Sequence, residues 1–567
     1  MVYRDSQTKC STRPTLNQRT TDKTAPLTLV RERLSYRRMR TAYRAAVVIA
    51  AIVFLLILTR LVHYQNGVPP HEDRYLPGGE PATLYLPGTS NLPGLDNPFF
   101  QSFPKPADQR PPAVVLVHGF SSDRINSSAL ARRIAQNGYG VLAIDVRGHG
   151  ENRNSFLEST SGDGLREDVK NAVEFLRNSS LVDGSRIVVM GHSMGAGATL
   201  DYATHDPSIK GSVMISGGFN LDGPERPRNT LFIFAQNDPD FIKESSALIG
   251  AHLAGADKFE LGKVYGDFAS GTAVEAIQVN GVNHVTIIWS PDAAQSILRW
   301  LDGVCGVKRT GDPNLIEPRL SLILICLPLF IFLLVPVGRV CGGLAPAWER
   351  RPTGNTVWLG LIALVVALFA AMALNANAPQ AEFLSIVEGH VMMSWLAIAG
   401  GLLVALLAVQ NPEDLRRLGN GLGATLFAAA LAFSAIVIIN GAYDVALHRT
   451  SLTPERLLVT LASALLILPF FLSFELLLRR GTTPIATVLG SIGRVLILVA
   501  IVAGLGLGTI PFVLSLVLPL FVVLFLMFEV FAASVYSVSG NLLLIAIVEA
   551  LWFARTAALS WPITFKL

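Results

Sequence analysis

The stretch Gly191-His192-Ser193-Met194-Gly195 has the spacing of a sharp turn that carries a serine between a strand and a helix. Apolar, β-branched residues come directly before it and small residues directly after it, as a strand–turn–helix unit requires. Gly191 and Gly195 leave room for a tight backbone, and the turn would lift the Ser193 hydroxyl to the carboxyl end of the strand. By itself the pattern also fits a chance match in a glycine-rich loop.

The sequence around this turn predicts a doubly wound, mostly parallel α/β sheet. An amphipathic helix over residues 165–178 lies between two of the predicted strands, and strands that alternate with helices are typical of this fold class. The predicted buried strands are residues 114–117, 141–144, 187–190, 213–215, 231–234 and 276–279.

A serine hydroxyl at its ordinary pKa is a poor nucleophile, so it needs a base, and the base needs an orienting carboxylate. Asp238 follows the strand predicted over 231–234, and His284 follows the strand predicted over 276–279. Carboxyl ends of parallel strands share one edge of the sheet, so both side chains are expected near Ser193. Asp238 could also be a simple turn residue, and Asp240 is a rival for the role of the acid.

The first predicted strand ends in His118-Gly119-Phe120. In this geometry the backbone N–H groups of Phe120 and Met194 could form an oxyanion hole. Each such donor would stabilise a tetrahedral intermediate by about 3 kcal/mol. We interpret His118 as structural, not catalytic.

Over roughly residues 80–302 the chain resembles the α/β-hydrolase superfamily. Residues 115–120 resemble the oxyanion strand of that family, and residues 145–150 resemble its D-x-R-G-x-G loop. The resemblance implies a nucleophile at Ser193, a base at His284 and an orienting acid at Asp238, with no cofactor. It also implies that Asp145 and Arg147 hold their loop and take no part in catalysis.

The sequence departs from the usual family members in two ways, so the fold does not identify the substrate. Only about a dozen residues separate the predicted strands that end near Gly217 and begin near Leu231, which is too few for a soluble cap domain. Long apolar helices at the carboxyl-terminal end are also foreign to the usual single-domain enzymes.

Composition indicates a membrane protein. Of 567 residues, 51% are hydrophobic and only 16% are charged. The apolar run over 45–62 could be a signal peptide or an uncleaved anchor, and the lack of a small-x-small cleavage site favours the anchor. The predicted membrane spans beyond residue 318 are 319–337, 355–374, 386–409, 421–440, 457–477, 485–507, 511–532 and 538–554.

These spans divide the chain into four parts. Residues 1–44 form a basic, disordered cytoplasmic tail, 45–62 an anchor helix, 63–318 an extracytoplasmic α/β domain, and 319–567 a bundle of about eight helices. The basic loops fit this topology of a multi-pass cell-membrane protein, because arginines concentrate in the loops expected on the cytoplasmic side.

Two details of the bundle stay open. Its fourth loop, with His448, Arg449 and Arg456, is more basic than an outside loop should be. The segment 504–511 is either a turn between helices or a kink.

Ionisable side chains within membrane helices are costly, so each one invites an explanation. Glu388 and His390 are expected at the outer end of their helix, where they could line a route for a lipid or amphiphile toward Ser193. The alternative is that they stay hydrated at the interface or hydrogen-bond between helices. The remaining four are Glu475, Arg494, Glu529 and Glu549.

These observations favour hydrolysis of a carboxylic ester through an acyl-enzyme, with membrane lipids and an ester or amphiphilic small molecule as partners. Acyl transfer or peptide-bond cleavage by the same residues is an alternative, as is a transporter or sensor whose α/β domain only binds ligand. No Cys/His cluster has zinc spacing, so no metal site is predicted. Basic residues form no stripe with interleaved aromatics, which argues against nucleic acid as a partner.

Overall fold

A computed structural model describes residues 25–67, 69–88, 110–159, 164–218, 221, 223–354, 356–377, 384–445, 447–449 and 451–566. Residues 1–24 of the predicted tail therefore lie outside the described residues, and from Ala25 the chain is helical. This helix, α1 (Ala25–Gly67), contains the predicted anchor; its arginines and leucines are good helix formers. The chain divides into two compact units, Met1–Ile52 and Val53–Leu567, and every strand among the described residues belongs to the second.

One mixed sheet forms the centre of the α/β domain. Its strands are β1 (His71–Tyr75), β2 (Pro81–Tyr85), β3 (Pro112–Val117), β4 (Gly140–Ile144), β5 (Asp183–His192), β6 (Gly211–Ile215), β7 (Thr230–Asn237) and β8 (Val274–Asn283). Their spatial order is β1-β2-β4-β3-β5-β6-β7-β8. The strands from β3 to β8 are the six predicted ones and pair in parallel, which confirms the predicted fold class.

The antiparallel strands β1 and β2 extend the sheet at one edge and were not predicted. Four of the five residues of β1 are exposed, so its sequence lacks the apolar run by which a buried strand is recognised. Its partner β2 is fully buried, but it is only five residues long and begins with a proline.

Helices cover both faces of the sheet. They are α2 (Ser128–Gln136), α3 (Gly164–Asn178), α4 (Met194–Ala203), α5 (Asp240–Ala254) and α6 (Pro291–Cys305). Alternate residues of β3 enter opposite cores: Val114 and Leu116 pack with α2 and α6, whereas Val115 and Val117 pack with α3 and α4. This alternation makes the strand apolar along its whole length, which is why it was recognisable from sequence.

The remaining helices form the bundle. They are α7 (Pro318–Leu344), α8 (Thr356–Asn377), α9 (Gly389–Gln410), α10 (Pro412–Arg416), α11 (Leu422–Asn440), α12 (Pro454–Leu478), α13 (Thr483–Gly506), α14 (Val513–Val538) and α15 (Leu542–Ser560). Each predicted span corresponds to one long helix, and α10 is a short addition. Between Gly506 and Val513 the chain turns, so the segment 504–511 is not a kink within one helix. Within the described residues, nine helices including α1 are long and apolar enough to cross a membrane.

The carboxyl end of the sheet faces the bundle. The chain after α15 pairs with the loop that follows β4: Gly148 O accepts from Ile563 N–H at 3.0 Å, and Phe156 N–H donates to Ile563 O at 3.0 Å. From α12, the buried Arg456 guanidinium donates to Gly148 O at 2.8 Å and to Gly150 O at 2.9 Å. Arg456, one of the basic residues predicted in the fourth bundle loop, thus hydrogen-bonds to the α/β domain.

Candidate active site

The turn between β5 and α4 is strained at the serine. Ser193 has φ 53° and ψ −116°, a region that residues with a side chain rarely adopt. A Cβ at Gly191 would lie 2.1 Å from Gly195 O, and a Cβ at Gly195 would lie 2.5 Å from His118 O. Both positions therefore exclude any larger residue. Ser193 N–H donates to Ile215 O at 2.8 Å, which ties the turn to the neighbouring strand.

Three side chains from three loops meet at this edge. His284 Nε2 lies 2.9 Å from Ser193 Oγ, and His284 Nδ1 lies 2.7 Å from Asp238 Oδ1. Both His284 and Asp238 are buried, whereas Ser193 is partly exposed. Such a chain of hydrogen bonds can carry a proton from the serine to the imidazole while the carboxylate keeps the ring oriented.

The carboxylate of Asp238 has two further donors. Ser216 Oγ donates to its Oδ2 at 2.6 Å, and Ala235 N–H donates to the same oxygen at 2.7 Å. Burial alone would raise the pKa of Asp238, but the hydrogen bonds from His284 and Ser216 outweigh burial and lower it. Asp240, the rival acid, begins α5, and its largely exposed carboxylate pairs with Lys243 Nζ at 2.8 Å. The structure therefore brings Asp238 to His284 and leaves Asp240 at the surface.

His192 supports the same loop from inside. Its Nε2–H donates to His284 O at 2.8 Å, and the centroids of the two imidazole rings are 5.0 Å apart. Burial, and then the neighbouring His284, lower the pKa of His192 to about 3. His192 is thus neutral at physiological pH and fixes the His284 backbone.

The end of β3 runs directly past the serine. A Cβ at Gly119 would lie 2.8 Å from His192 Nδ1 and 3.2 Å from Ser193 Cβ, so only glycine permits this approach. It brings the chain that continues into Phe120 alongside Ser193, and Met194, the next residue after the serine, begins α4. This arrangement supports the predicted oxyanion hole of two backbone N–H groups.

Contacts of the remaining motif residues support structural roles. His118 Nε2 accepts from Val146 N–H at 3.3 Å, which joins the ends of β3 and β4. Asp145 Oδ1 accepts from Arg124 N–H at 2.8 Å, and Arg147 Nη2 donates to Asp168 Oδ1 at 2.8 Å. Asp145 thus contacts the loop after β3, and Arg147 contacts helix α3.

Glu388 and His390 lie at the start of α9, on the side of the bundle that meets the α/β domain. His390 Nδ1 lies 3.0 Å from Ile386 O, and Ile386 pairs with Ile563 in the chain after α15. His390 Nε2 is buried and has no hydrogen-bond partner within the described part of the chain. Neither residue is brought to Ser193 by a described contact, so their role in a substrate route stays a prediction.

The other four ionisable residues of the predicted membrane spans meet each other in the bundle core. Arg494 donates to Glu549, to Glu529 at 2.5 Å and to Glu475 at 3.3 Å. Arg479 joins them, with its Nη1 2.9 Å from Glu529 Oε1. Buried charges need such partners because their desolvation is costly. The sequence identified the four residues but not Arg479, which lies just past the end of α12.

The sequence did not indicate two residues near the candidate site, Ser216 and Asp123. Ser216 begins the loop after β6 with a positive φ of 48°, and it reaches Asp238 only because β6 and β7 are adjacent. Asp123 lies three residues past Phe120 and is completely buried. An aspartate in a polar loop gives no sequence signal that it will be buried.

Comparison with known proteins gives one family match. Residues 108–245 match the family model described as serine aminopeptidase, S33. The matched region contains Ser193 and Asp238 and ends before His284.

Three curated proteins illustrate the relatives. A bis(hydroxyethyl) terephthalate hydrolase from Streptomyces coelicolor is 28% identical over 33% of this chain and 53% of that protein. Cutinase 2 from Thermobifida cellulosilytica is 31% identical over 18% of this chain and 38% of that protein. An uncharacterized protein from Mycobacterium tuberculosis is 29% identical over 31% of this chain and 60% of that protein. This chain thus spans between 38% and 60% of the length of these relatives.

Proposed function

Because its α/β domain belongs to the α/β-hydrolase superfamily, we propose that this chain is a membrane-bound serine hydrolase that cleaves carboxylic esters. The observation that carries the proposal is the hydrogen-bonded chain from Ser193 through His284 to Asp238. Relatives named as a terephthalate ester hydrolase and as cutinases support an ester as the substrate.

The reaction follows from the positions of these groups. Ser193 Oγ attacks the ester carbonyl carbon while His284 Nε2 takes the hydroxyl proton. The N–H groups of Phe120 and Met194 then stabilise the negative oxygen of the tetrahedral intermediate. His284 gives its proton to the departing alcohol, and an acyl-enzyme is left on Ser193. Water, deprotonated by His284, releases the acid by the reverse sequence.

The position of the site favours an amphiphilic ester. The carboxyl end of the sheet, where Ser193 is partly exposed, faces helices that are long and apolar enough to cross a membrane. In the proposed topology the amino terminus is cytoplasmic and the α/β domain lies outside, close to the membrane surface. Glu388 and His390 would then lie where a lipid leaves the bilayer toward the serine.

Labelling by a fluorophosphonate probe tests the nucleophile. Purified full-length protein in detergent is compared with Ser193→Ala, and we expect the wild type to label and the variant not to. If folded wild type fails to label, the serine is not activated, and the ligand-binding transporter or sensor becomes the better explanation.

An ester panel of increasing acyl length tests the substrate. Longer chains should be preferred, and Glu388→Gln combined with His390→Gln should reduce the preference if the two residues line the route. Unchanged chain-length selectivity in that double variant would remove the route and leave the hydrolase intact.

Amide cleavage is a second candidate, because the matching family model is described as a serine aminopeptidase. Parallel assays with a matched ester and amide of one acyl group distinguish the two. Addition of an alcohol acceptor, with product analysis, distinguishes hydrolysis from acyl transfer.

A further inference from the structure

One short segment of the bundle contacts the α/β domain just past the proposed oxyanion hole. This segment, here named the docking loop, comprises residues 447–449 between α11 and α12. Leu447 O accepts from Asn126 Nδ2 at 2.7 Å, and Arg449 N–H donates to Asp123 Oδ2 at 2.6 Å. His448 Nδ1 lies 2.9 Å from the same oxygen of Asp123. All three residues of the docking loop therefore contact the turn 120–126, which begins at Phe120.

Asp123 is the centre of these contacts. It is completely buried, and its other oxygen accepts from Asn126 N–H at 2.8 Å, which closes the turn 123–126. A buried carboxylate is stable only with charged or hydrogen-bonding partners, and the docking loop provides two of them. Burial by itself would raise the pKa of Asp123, but the charge and hydrogen bond of His448 outweigh burial and lower it. The turn thus depends on the bundle for its charge balance.

A second set of contacts continues from the docking loop into the α/β domain. The Arg449 guanidinium lies 2.6 Å from Glu151 Oε1, and Glu151 Oε2 accepts from Arg124 Nη2 at 2.6 Å. Arg124 in turn forms an ion pair with the buried Asp145. The turn that begins at Phe120 is therefore fixed both at its own carboxylate and through the loop after β4.

The backbone of this turn is strained. Ser121, directly after Phe120, has φ 58°, a left-handed conformation that non-glycine residues adopt only when their surroundings impose it. The direction of the Phe120 N–H therefore depends on contacts that hold the turn closed. Asp123 is a buried anchor three residues away, and its Oδ2 is bound by the docking loop.

We propose that residues 447–449 of the bundle are positioning residues for the oxyanion hole, so that catalysis at Ser193 requires the membrane half of the chain. The proposal rests on the proposed ester hydrolysis. His448 and Arg449 touch no substrate; they act through Asp123 on the turn that carries the Phe120 N–H. The basic character of the fourth bundle loop, unexplained by membrane topology, then has a purpose in the active site.

Kinetics of the full-length protein test this role. His448→Ala, Asp123→Asn and the double variant are assayed in detergent with a short, soluble p-nitrophenyl ester. Loss of one well-aligned oxyanion donor lowers kcat by about 10²–10³-fold, so a displaced donor should lower it about 10- to 100-fold. KM should change less than twofold. The double variant should be no worse than the poorer single variant, because both changes break the same contact.

The matched control is Arg153→Gln. Arg153 also joins the α/β domain to the bundle, with its Nε 2.7 Å from Glu455 Oε1, but it does not contact the turn 120–126 through a described hydrogen bond. This variant should keep kcat within about twofold. An equal loss in Arg153→Gln would overturn the proposal, since general docking of the two halves would then explain the effect. A kcat that is unchanged in His448→Ala would overturn it as well.

Two further measurements separate this proposal from the proposed function. Fluorophosphonate labelling of the wild type reports on Ser193 itself: if it fails, ester hydrolysis fails, whatever the variants do. Hydrogen exchange of the amides over 119–123 reports on the turn without any activity. Faster exchange there in His448→Ala, with the melting temperature retained, supports positioning; unchanged exchange refutes it.

Discussion

Replacing Asp238 by asparagine should inactivate the site through the tautomer of His284. In the wild type, Ser216 O–H and Ala235 N–H both donate to Oδ2 of Asp238. These two donors would hold the amide oxygen of an asparagine at the Oδ2 position. Its NH₂ group would then face His284 Nδ1, where the wild type has a carboxylate oxygen at 2.7 Å.

The size of the effect follows from this geometry. An amide that donates to Nδ1 stabilises the tautomer with its proton on Nε2, and that nitrogen can then no longer accept the proton of Ser193. A serine–histidine pair held in the wrong tautomer loses about 10⁴ in kcat, which is about 5.5 kcal/mol of transition-state stabilisation. KM should change little, because Asp238 is buried beneath His284.

The assay compares Asp238→Asn with Asp240→Asn, since both remove one carboxylate where β7 connects to α5. Asp240 is largely exposed, so its variant should keep kcat within about twofold, as surface substitutions do. Hydrolysis of a short p-nitrophenyl ester gives kcat and KM, and a melting curve confirms that each variant is folded. A folded Asp238→Asn that keeps more than a tenth of wild-type kcat would refute the tautomer argument. So would an equal loss in Asp240→Asn.

Three further changes have defined outcomes. Gly191→Ala should prevent folding of the α/β domain, seen as loss of monodisperse protein in size exclusion, because its Cβ would lie 2.1 Å from a backbone oxygen; recovery of folded protein would contradict this. Ser216→Ala removes a charge-assisted hydrogen bond, so kcat should fall about tenfold. The same bond helps to lower the pKa of Asp238. The stability that this lowered pKa contributes is complete above the ordinary aspartate pKa of about 3.9 and is lost as the pH falls through the lowered value. The acid-unfolding midpoint should therefore lie at a higher pH in Ser216→Ala than in the wild type. An acid-unfolding midpoint that does not move in Ser216→Ala would contradict this role of the Ser216 hydrogen bond. Arg494→Met leaves the buried Glu549 without its described ion-pair partner, whereas Glu475 and Glu529 keep Arg479, and it should cost about 3–5 kcal/mol, measured as a lower melting temperature in detergent. An unchanged melting temperature would show that the network is not essential.

Much of the fold was predictable because its signals are local. The strands from β3 to β7 contain apolar runs whose alternate residues enter cores on opposite faces of the sheet, and such runs stand out in sequence. The long bundle helices stand out for a related reason, as each must be apolar over its full length. The exposed β1 has neither signal, so the antiparallel edge of the sheet was missed.

The proposed catalytic residues could be identified because each follows a recognisable strand, but the choice between Asp238 and Asp240 could not be made on spacing. The two aspartates are two residues apart in sequence but differ in what surrounds them. Asp238 lies under His284 and accepts from Ser216, whereas Asp240 is turned to solvent at the start of α5. The contact with Ser216 depends on adjacent strands.

The sequence by itself determined the types of chemistry available: a serine on a strained turn, a histidine and acids after later strands, and long apolar helices. Those features depend on neighbouring residues, so they can be read along the chain. Only the tertiary structure decided which groups meet. Asp123 binds Arg449 across 326 positions, and a burial that depends on so distant a partner leaves no local pattern. The link between the bundle and the oxyanion turn is therefore a property of the folded chain.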